Sequence, residues 1–371
     1  MLIERIQIAG FKSIAELTLN NVTPYSVFAG PNGAGKSNLL DALAFVGEIV
    51  DAGASKAISR FGGFQNIRCF KLSKQKAATF KFALEMTFGG KKICYKLKLS
   101  AMDSEPSLRE SMHVDGKSLF EMQAMEFPRP WPGKRRPSDQ TGNWPKDLSW
   151  LMFFPNAEIY QFLRNIRIFR FDPSGAKESD SSSTDARELN PSGNNLATIL
   201  AKMERDKEFS AQIIDWLELL VPGLEQVRTE KQRLDGSRLI TFKEEGTKTR
   251  FPAHLISDGT IYALCIMTAV LSRAKGIGMT LIEEPERGMH PDAIHELVQL
   301  MRENASPGHP ILITSHSESV VRASKIEELW LVDKVDGKTT AKNAAPGSAD
   351  LSDINLDKAW LMNMFGAGLP W

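Results

Sequence analysis

The chain has 371 residues, 42% hydrophobic and 25% charged, with a formal net charge of +1. That length holds one large domain or two smaller ones with a full core, and the balance is ordinary for a soluble globular protein. A chain-wide polycation is excluded, so any contact with nucleic acid has to come from local patches. The three cysteines, Cys69, Cys94 and Cys265, sit in apolar or strand-like surroundings without metal spacing, as structural thiols in a reducing cytosol do. The opening MLIERIQIAGFKS lacks a signal-peptide layout, and the most apolar later run, 261–271, is too short to span a bilayer. A cytoplasmic protein without a membrane partner is expected.

In chain order, strands are expected around 3–9, 16–19 and 25–29. Residues 30–37 then read Gly-Pro-Asn-Gly-Ala-Gly-Lys-Ser. This is a phosphate-binding loop: Gly30, Gly33 and Gly35 remove side chains so that backbone N–H groups can wrap phosphate oxygens. Asn32, Gly33, Ala34 and Gly35 form the cradle, Lys36 can reach the β- and γ-phosphates, and the Ser37 hydroxyl can ligate Mg²⁺. Leu39, Leu40, Leu43 and Val46 continue at helical spacing, so strand, loop and helix follow in the required order.

Residues 60–66 read as a glycine-containing turn, and 79–99 as a β-meander folded at Gly89-Gly90. The polar, Pro-, Trp- and Arg-rich stretch 103–150 is expected to be a long surface loop or insertion, and 173–193 a second mobile connection. Helical spacing returns with Leu196, Ile199, Leu200 and Met203, then Ile213, Ile214, Leu217 and Leu220. A hairpin is expected over 226–243 around Asp235-Gly236. There is no internal repeat and no heptad run long enough for a coiled-coil arm.

Leu255-Ile-Ser-Asp-Gly-Thr260 precedes an apolar helix; Ser257 reads as a plain N-cap or as part of an anion site at the helix N-terminus. Gly278-Met-Thr-Leu-Ile-Glu-Glu-Pro-Glu286 is an apolar strand ending in acids. Glu283 stands where a carboxylate would hold a metal, and Glu284 where a base would act on an attacking water. Ile311-Leu-Ile-Thr-Ser-His316 is the next buried strand, its histidine either a strand-end cap or a contact to a γ-phosphate. His290, before Pro291 at a helix start, divides equally between a structural and a site role.

Taken together, these pieces resemble an ABC-type ATPase of the RecF, SMC and OLD-like branch. The resemblance is carried by Gly10-Phe-Lys-Ser-Ile14, the loop at 30–37, Ile256-Ser-Asp-Gly259, Leu281-Ile-Glu-Glu-Pro-Glu286 and Thr314-Ser-His316, and covers roughly 1–70 and 250–335. It implies an α/β P-loop NTPase of ABC-ATPase head type: a mixed sheet flanked by helices, with a β-rich lobe and an inserted helical and loop region. The implied organisation is an ATPase head from 1–75 and 250–345, an inserted lobe at 76–250 and a tail at 346–371. It also implies ATP and Mg²⁺, with a head-to-tail dimer or higher oligomer in which Ser257 and Gly259 complete the site of a second subunit. Glu284 would be the catalytic carboxylate, His316 the switch, and Ser37 and Glu283 the metal ligands; Lys12 would approach the nucleotide and Gln65 would stand for the Q-loop residue. Two departures matter. Glu283 replaces the usual aspartate, and Asp258 sits in the signature segment.

The motifs sit nearer the OLD-type, phage-defence branch than transporters. Only 55 residues follow His316, too few for an appended Toprim nuclease, so an effector is expected in a separately encoded protein. The expected function is therefore an ATPase that senses or clamps nucleic acid and controls such an effector, a nuclease or toxin, in bacterial anti-phage defence. The alternatives are a RecF-like DNA-repair ATPase and, further off, a transporter's energy-coupling subunit. Residues 71–98 carry eight Lys and one Glu, and Lys134-Arg-Arg136 adds a second basic cluster. Either could be a solvated face or a DNA or RNA contact. The aromatic tail 360–371 either packs on its own core or docks a partner.

Overall fold

The computed structural model describes residues 1–121, 145–181, 186, 188–233, 235–345 and 354–367. The chain groups into two compact units, one of residues 1–23, 31–166 and 331–342, the other of 24–30, 167–330 and 343–371.

The first unit is built on a six-stranded antiparallel sheet. In spatial order its strands are Ile14–Val22, Leu2–Phe11, Phe80–Phe88, Lys91–Ser100, Ser107–Val114 and Lys117–Glu121. Alternation sets which face is buried: Phe80, Phe82, Leu84 and Met86 point inward, as do Ile93, Tyr95, Leu97 and Leu99. The helix Lys36–Ala52 is buried along most of its length. Phe45 on that helix packs with Phe11, Phe61 and Phe80, ring centroids 5.2–5.3 Å away.

The expected long loop at 103–150 is corrected at its two ends, and residues 122–144 lie outside the described residues. Residues 107–121 form a hairpin that extends the sheet, and Trp150–Phe153 is a 3₁₀ turn capped by Ser149. The alternation was hidden because one inward position is a carboxylate. Glu110 is buried and accepts from Tyr95 OH (2.5 Å), Ser149 Oγ (2.8 Å) and the Trp150 amide (2.6 Å). Burial raises its pKa, while those three donors pull it back. The expected turn at 60–66 is in part helical, with Ala54–Arg60 and Phe64–Ile67 on either side of Gly62-Gly63. Lys134-Arg-Arg136 and, in the connection at 173–193, residues 182–185 and 187 lie outside the described residues.

In the second unit, strands Tyr25–Ala29, Ile311–Ser315 and Met279–Glu283 run parallel in that order, with Ile313 paired to Val27 and to Ile282. They are almost wholly apolar because both faces are buried. The helix Asp258–Arg273 is buried from Thr260 to Val270 and packs on helices Leu196–Met203, Lys207–Leu220 and Pro291–Asn304. A smaller sheet holds Leu224–Lys231, Arg238–Glu244 and Phe251–Pro252, the first two forming the expected hairpin. The connection expected to be mobile at 173–193 begins with a short helix, Pro173–Lys177, capped by Asp172. Of the aromatic tail, Trp360 is fully buried and Phe365 nearly so, which is the core-packing alternative for these two residues. Among the described residues no helix is long and apolar enough to cross a membrane.

Candidate active site

The loop at 31–37 leads from the strand Tyr25–Ala29 into the helix Lys36–Ala52. Gly33 (φ 80°) and Gly35 (φ 101°) occupy left-handed backbone that side chains disfavour. Gly35 is the helix N-cap and offers no side chain to its first amides, which therefore stay available to an anion. A Cβ added at Gly33 would meet nothing within 4 Å, so the loop mouth is open there. Lys36 is buried, and its ammonium donates to the Pro31 carbonyl at 3.0 Å. Ser37, Asn32 and Gly33 are exposed. Uncapped amides, a lysine folded across the loop and an open mouth all fit a phosphate chain.

Beneath the loop lies a polar clamp that the spacing of residues gave no sign of. The Thr339 hydroxyl, on the strand Lys338–Asn343, donates to the Ala34 carbonyl (2.9 Å) and bonds Ser13 Oγ (2.6 Å). Asn38 donates to the same Ser13 oxygen at 2.6 Å, and the Thr339 amide donates to the Ser13 carbonyl. A Cβ on Gly35 would collide with the Thr339 hydroxyl, so that glycine serves packing as well as conformation. Lys12 (φ 48°) pairs with Asp41 on the loop helix at 2.5 Å, which keeps its ammonium beside that helix. Gln65 is exposed and lines a cavity of about 400 Å³ with Gly62, Phe64, Arg68 and Asp103, none of them a loop residue.

In the second unit the acids and the histidine meet at adjacent strand ends. Glu283 ends its strand with Oε1 2.6 Å from the Arg170 guanidinium. A cation therefore already faces this carboxylate, and a carboxylate with an alcohol is the hard-oxygen donor type suited to Mg²⁺. Glu284 follows at φ 46°, a strained conformation for a residue with a side chain. Its amide donates to the Thr314 carbonyl at 3.0 Å, and Tyr262 OH donates to the carbonyls of Glu283 and Glu284, each at 3.1 Å. His316 Nδ1 lies 3.3 Å from Glu284 Oε1 and 4.0 Å from Glu286 Oε1. Glu286 is buried, which raises its pKa; its Oε1 accepts from Ser315 Oγ at 2.6 Å, and its Oε2 has no hydrogen-bond partner among the described residues.

Ser257 caps the helix Asp258–Arg273, accepting from the Thr260 amide at 3.1 Å, and remains exposed. Lys177 donates to the Ile256 carbonyl (2.6 Å) and pairs closely with Asp258. Gly259 lies so close to Gly288 that a Cβ would strike the Gly288 carbonyl. His290 is the N-cap of Pro291–Asn304, accepting from the Asp292 amide. The structure thus brings Glu283, Glu284 and His316 together, gives Ser257 and His290 capping roles, joins Glu286 of the same acidic motif to Ser315, and adds Tyr262 and Arg170, for which no short motif exists.

Residues 26–322 match the family described as "AAA domain, putative AbiEii toxin, Type IV TA system". The chain belongs to this AAA family. A stretch of 47 residues is 43% identical to the chromosome partition protein Smc of Halothermothrix orenii, amounting to 12% of this chain and only 4% of that protein's length. The fold is shared with solved Smc head structures, among them the following three. An Smc head bound to the C-terminal winged-helix domain of ScpA has a TM-score of 0.58 at 14% identity, covering 92% of this chain and 97% of that one. An Smc head with an extended coiled coil, bound to the C-terminal domain of ScpA from Pyrococcus furiosus, has 0.55 at 15%, covering 97% and 98%. The SMC head domain from Thermotoga maritima has 0.51 at 16%, covering 92% and 99%. This AAA-family chain therefore has the ABC-ATPase P-loop fold seen in SMC heads.

Proposed function

We propose that the protein binds and hydrolyses ATP and uses the nucleotide to control its own assembly. The observation that carries this is the meeting of Glu284 and His316 at neighbouring parallel strand ends, in a chain that also carries an intact phosphate loop. Asn32 to Ser37 bind the phosphates through backbone amides, Lys36 and the Ser37 hydroxyl, with Lys12 and Gln65 as secondary contacts. Ser37 and Glu283 would be the ligands offered to Mg²⁺, which would neutralise phosphate charge when bound. Glu284 takes the proton of the attacking water, and His316, 3.3 Å away, holds that carboxylate in place and contacts the γ-phosphate. Products are ADP and phosphate. Ser257 and Gly259 face the nucleotide of a second copy in a head-to-tail dimer.

The biological role we infer is control of a separately encoded effector in bacterial anti-phage defence. The family description, whose words are "putative AbiEii toxin, Type IV TA system", supports a two-component arrangement. Phosphate release by the purified protein tests the enzymatic reading: Glu284→Gln should retain ATP binding and lose turnover, and unchanged hydrolysis would remove Glu284 from its role. Co-purification with the products of adjacent genes, with and without ATP, tests the effector.

Nucleic acid as the sensed ligand, or as the substrate of a RecF-like repair role, is favoured by one specific observation. Lys81, Lys98 and Arg109 stand directly opposite one another across three interior strands of the antiparallel sheet, all exposed, with Lys96 one pair along. No ion pair joins these four to a carboxylate among the described residues. Like charges placed opposite each other cost stability, and interior strands need no lysines to protect an edge. A polyanion relieves the repulsion. Gel shifts at rising salt should show affinity falling steeply, with a shallower slope in the Lys81→Ala/Lys98→Ala/Arg109→Ala variant; salt-insensitive or absent binding rejects this face.

A further inference from the structure

The helix that begins at the exposed Ser257 and the turn that carries Glu284 are joined inside one unit by a single buried hydroxyl. Tyr262 lies on the helix Asp258–Arg273 and is 2% exposed. Its O–H reaches the carbonyls of both Glu283 and Glu284, 3.1 Å each. The ring is fixed edge-on against Phe171, with centroids 5.8 Å apart. Burial pushes the phenol pKa well above its ordinary value, so the group stays a donor at every physiological pH.

What it holds is not a relaxed turn. Glu284 sits at φ 46°, where a residue with a Cβ is strained, and such backbone persists only when its surroundings over-determine it. On one side its amide is held by the Thr314 carbonyl, and on the other its carbonyl accepts from the Arg287 amide and from Tyr262. Within that set only Tyr262 belongs to the helix. The helix meets the same turn a second time through Gly259, which packs directly on the Gly288 carbonyl. Lys177 fastens the preceding residues by bonding the Ile256 carbonyl and Asp258. A phenylalanine would serve the apolar packing equally well. The hydroxyl is accounted for by the two carbonyls, which would otherwise lose a partner in a half-buried setting.

We infer that Tyr262 is a positioning residue for Glu284, through which the setting of segment 256–260 is transmitted to the strained Glu283–Glu284 turn. It rests on the assignment of Glu284 in the proposed function. A ligand or second subunit engaging Ser257 would then act on the base without touching it.

The test is Tyr262→Phe in the full chain, read two ways. In nucleotide-free protein, amide exchange followed by mass spectrometry should rise about tenfold or more over residues 283–289, while the helix 260–273 keeps its protection. In parallel, kcat should fall about tenfold or more with the Kd of a non-hydrolysable ATP analogue unchanged, the split expected when positioning alone is lost. Unchanged exchange at 283–289 overturns the inference, and so does a general loss of protection along the helix, which would make Tyr262 a packing residue only. Exchange altered as expected with kcat intact overturns the positioning role. Failure of the underlying reading shows separately, as wild-type hydrolysis persisting in Glu284→Gln. The exchange result still decides whether Tyr262 ties helix to turn.

Discussion

The phosphate loop and the acid-bearing strand ends solve the same problem, placing polar groups with precision, by opposite means. The loop uses main chain: glycines at φ 80° and 101°, an uncapped helix start and a lysine folded onto its own loop carbonyl. Its instructions are local and therefore appear as a contiguous motif. The acidic site uses side chains, the acids from one strand end and His316 from the next, and the key residue sits in a strained conformation maintained by groups from a helix and a neighbouring strand. Nothing within residues 279–286 encodes that maintenance. A loop built from glycine conformation should be brittle towards added side chains; a site built from distributed contacts should be sensitive to single polar atoms far off in sequence.

The sharpest way to break this contrast is Glu284→Gln, expected to lower kcat by about 10²–10⁴ with little change in ATP affinity, measured by phosphate release and equilibrium binding. Lys36→Ala should act on binding instead. Losing a charge-assisted contact to phosphate weakens Kd by roughly 10- to 100-fold, readable by calorimetry. Gly35→Ala tests brittleness: left-handed backbone plus the collision with Thr339 should cost about 2–4 kcal/mol in thermal unfolding and remove ATP binding.

A pH titration sharpens the comparison from the other side. His309 bonds Thr280 Oγ1 at 2.8 Å, at the start of the acid-bearing strand, and the Gly276 carbonyl at 3.2 Å. Burial, then the Arg273 charge, pushes its pKa down from 6.5 to about 4. The unfolded chain therefore takes up the proton first as pH falls below about 6.5, so stability is full above that value and lost on the way down to pH 4, by on the order of 2–3 kcal/mol. Urea unfolding at pH 7 and pH 5 should show the loss, and His309→Gln should flatten it. The smallest expected effect is Thr339→Val, which removes the hydroxyl under Ala34. About 1 kcal/mol of stability and a few-fold weaker nucleotide binding would mark the clamp as support rather than contact.

Legibility in the sequence followed the same division. The strands at 25–29, 80–88, 91–100 and 311–315 and the helix after the loop stand where apolar runs and spacing placed them, because apolar runs and two-residue and 3.6-residue periods are local properties. The hairpin at 107–121 is hidden in the sequence because Glu110, an inward residue, carries a charge; its partners Tyr95, Ser149 and Trp150, from two other segments, make that burial tolerable. Helix Ala54–Arg60 was missed between glycines that flank it rather than break it.

At the site, the identity of Lys36, Ser37, Glu283, Glu284 and His316 as candidates came from residue order alone. That order fixed the P-loop class, since a glycine loop between a buried strand and a helix has few other uses. Tertiary structure decided what no window could hold. Thr339, more than 300 positions from Ala34, supports the loop, and Tyr262 sets the backbone of a residue 22 positions away. Periodicity and motif report the conformation a segment prefers by itself; strained backbone and buried hydroxyls exist only where the folded chain supplies partners that outweigh those preferences.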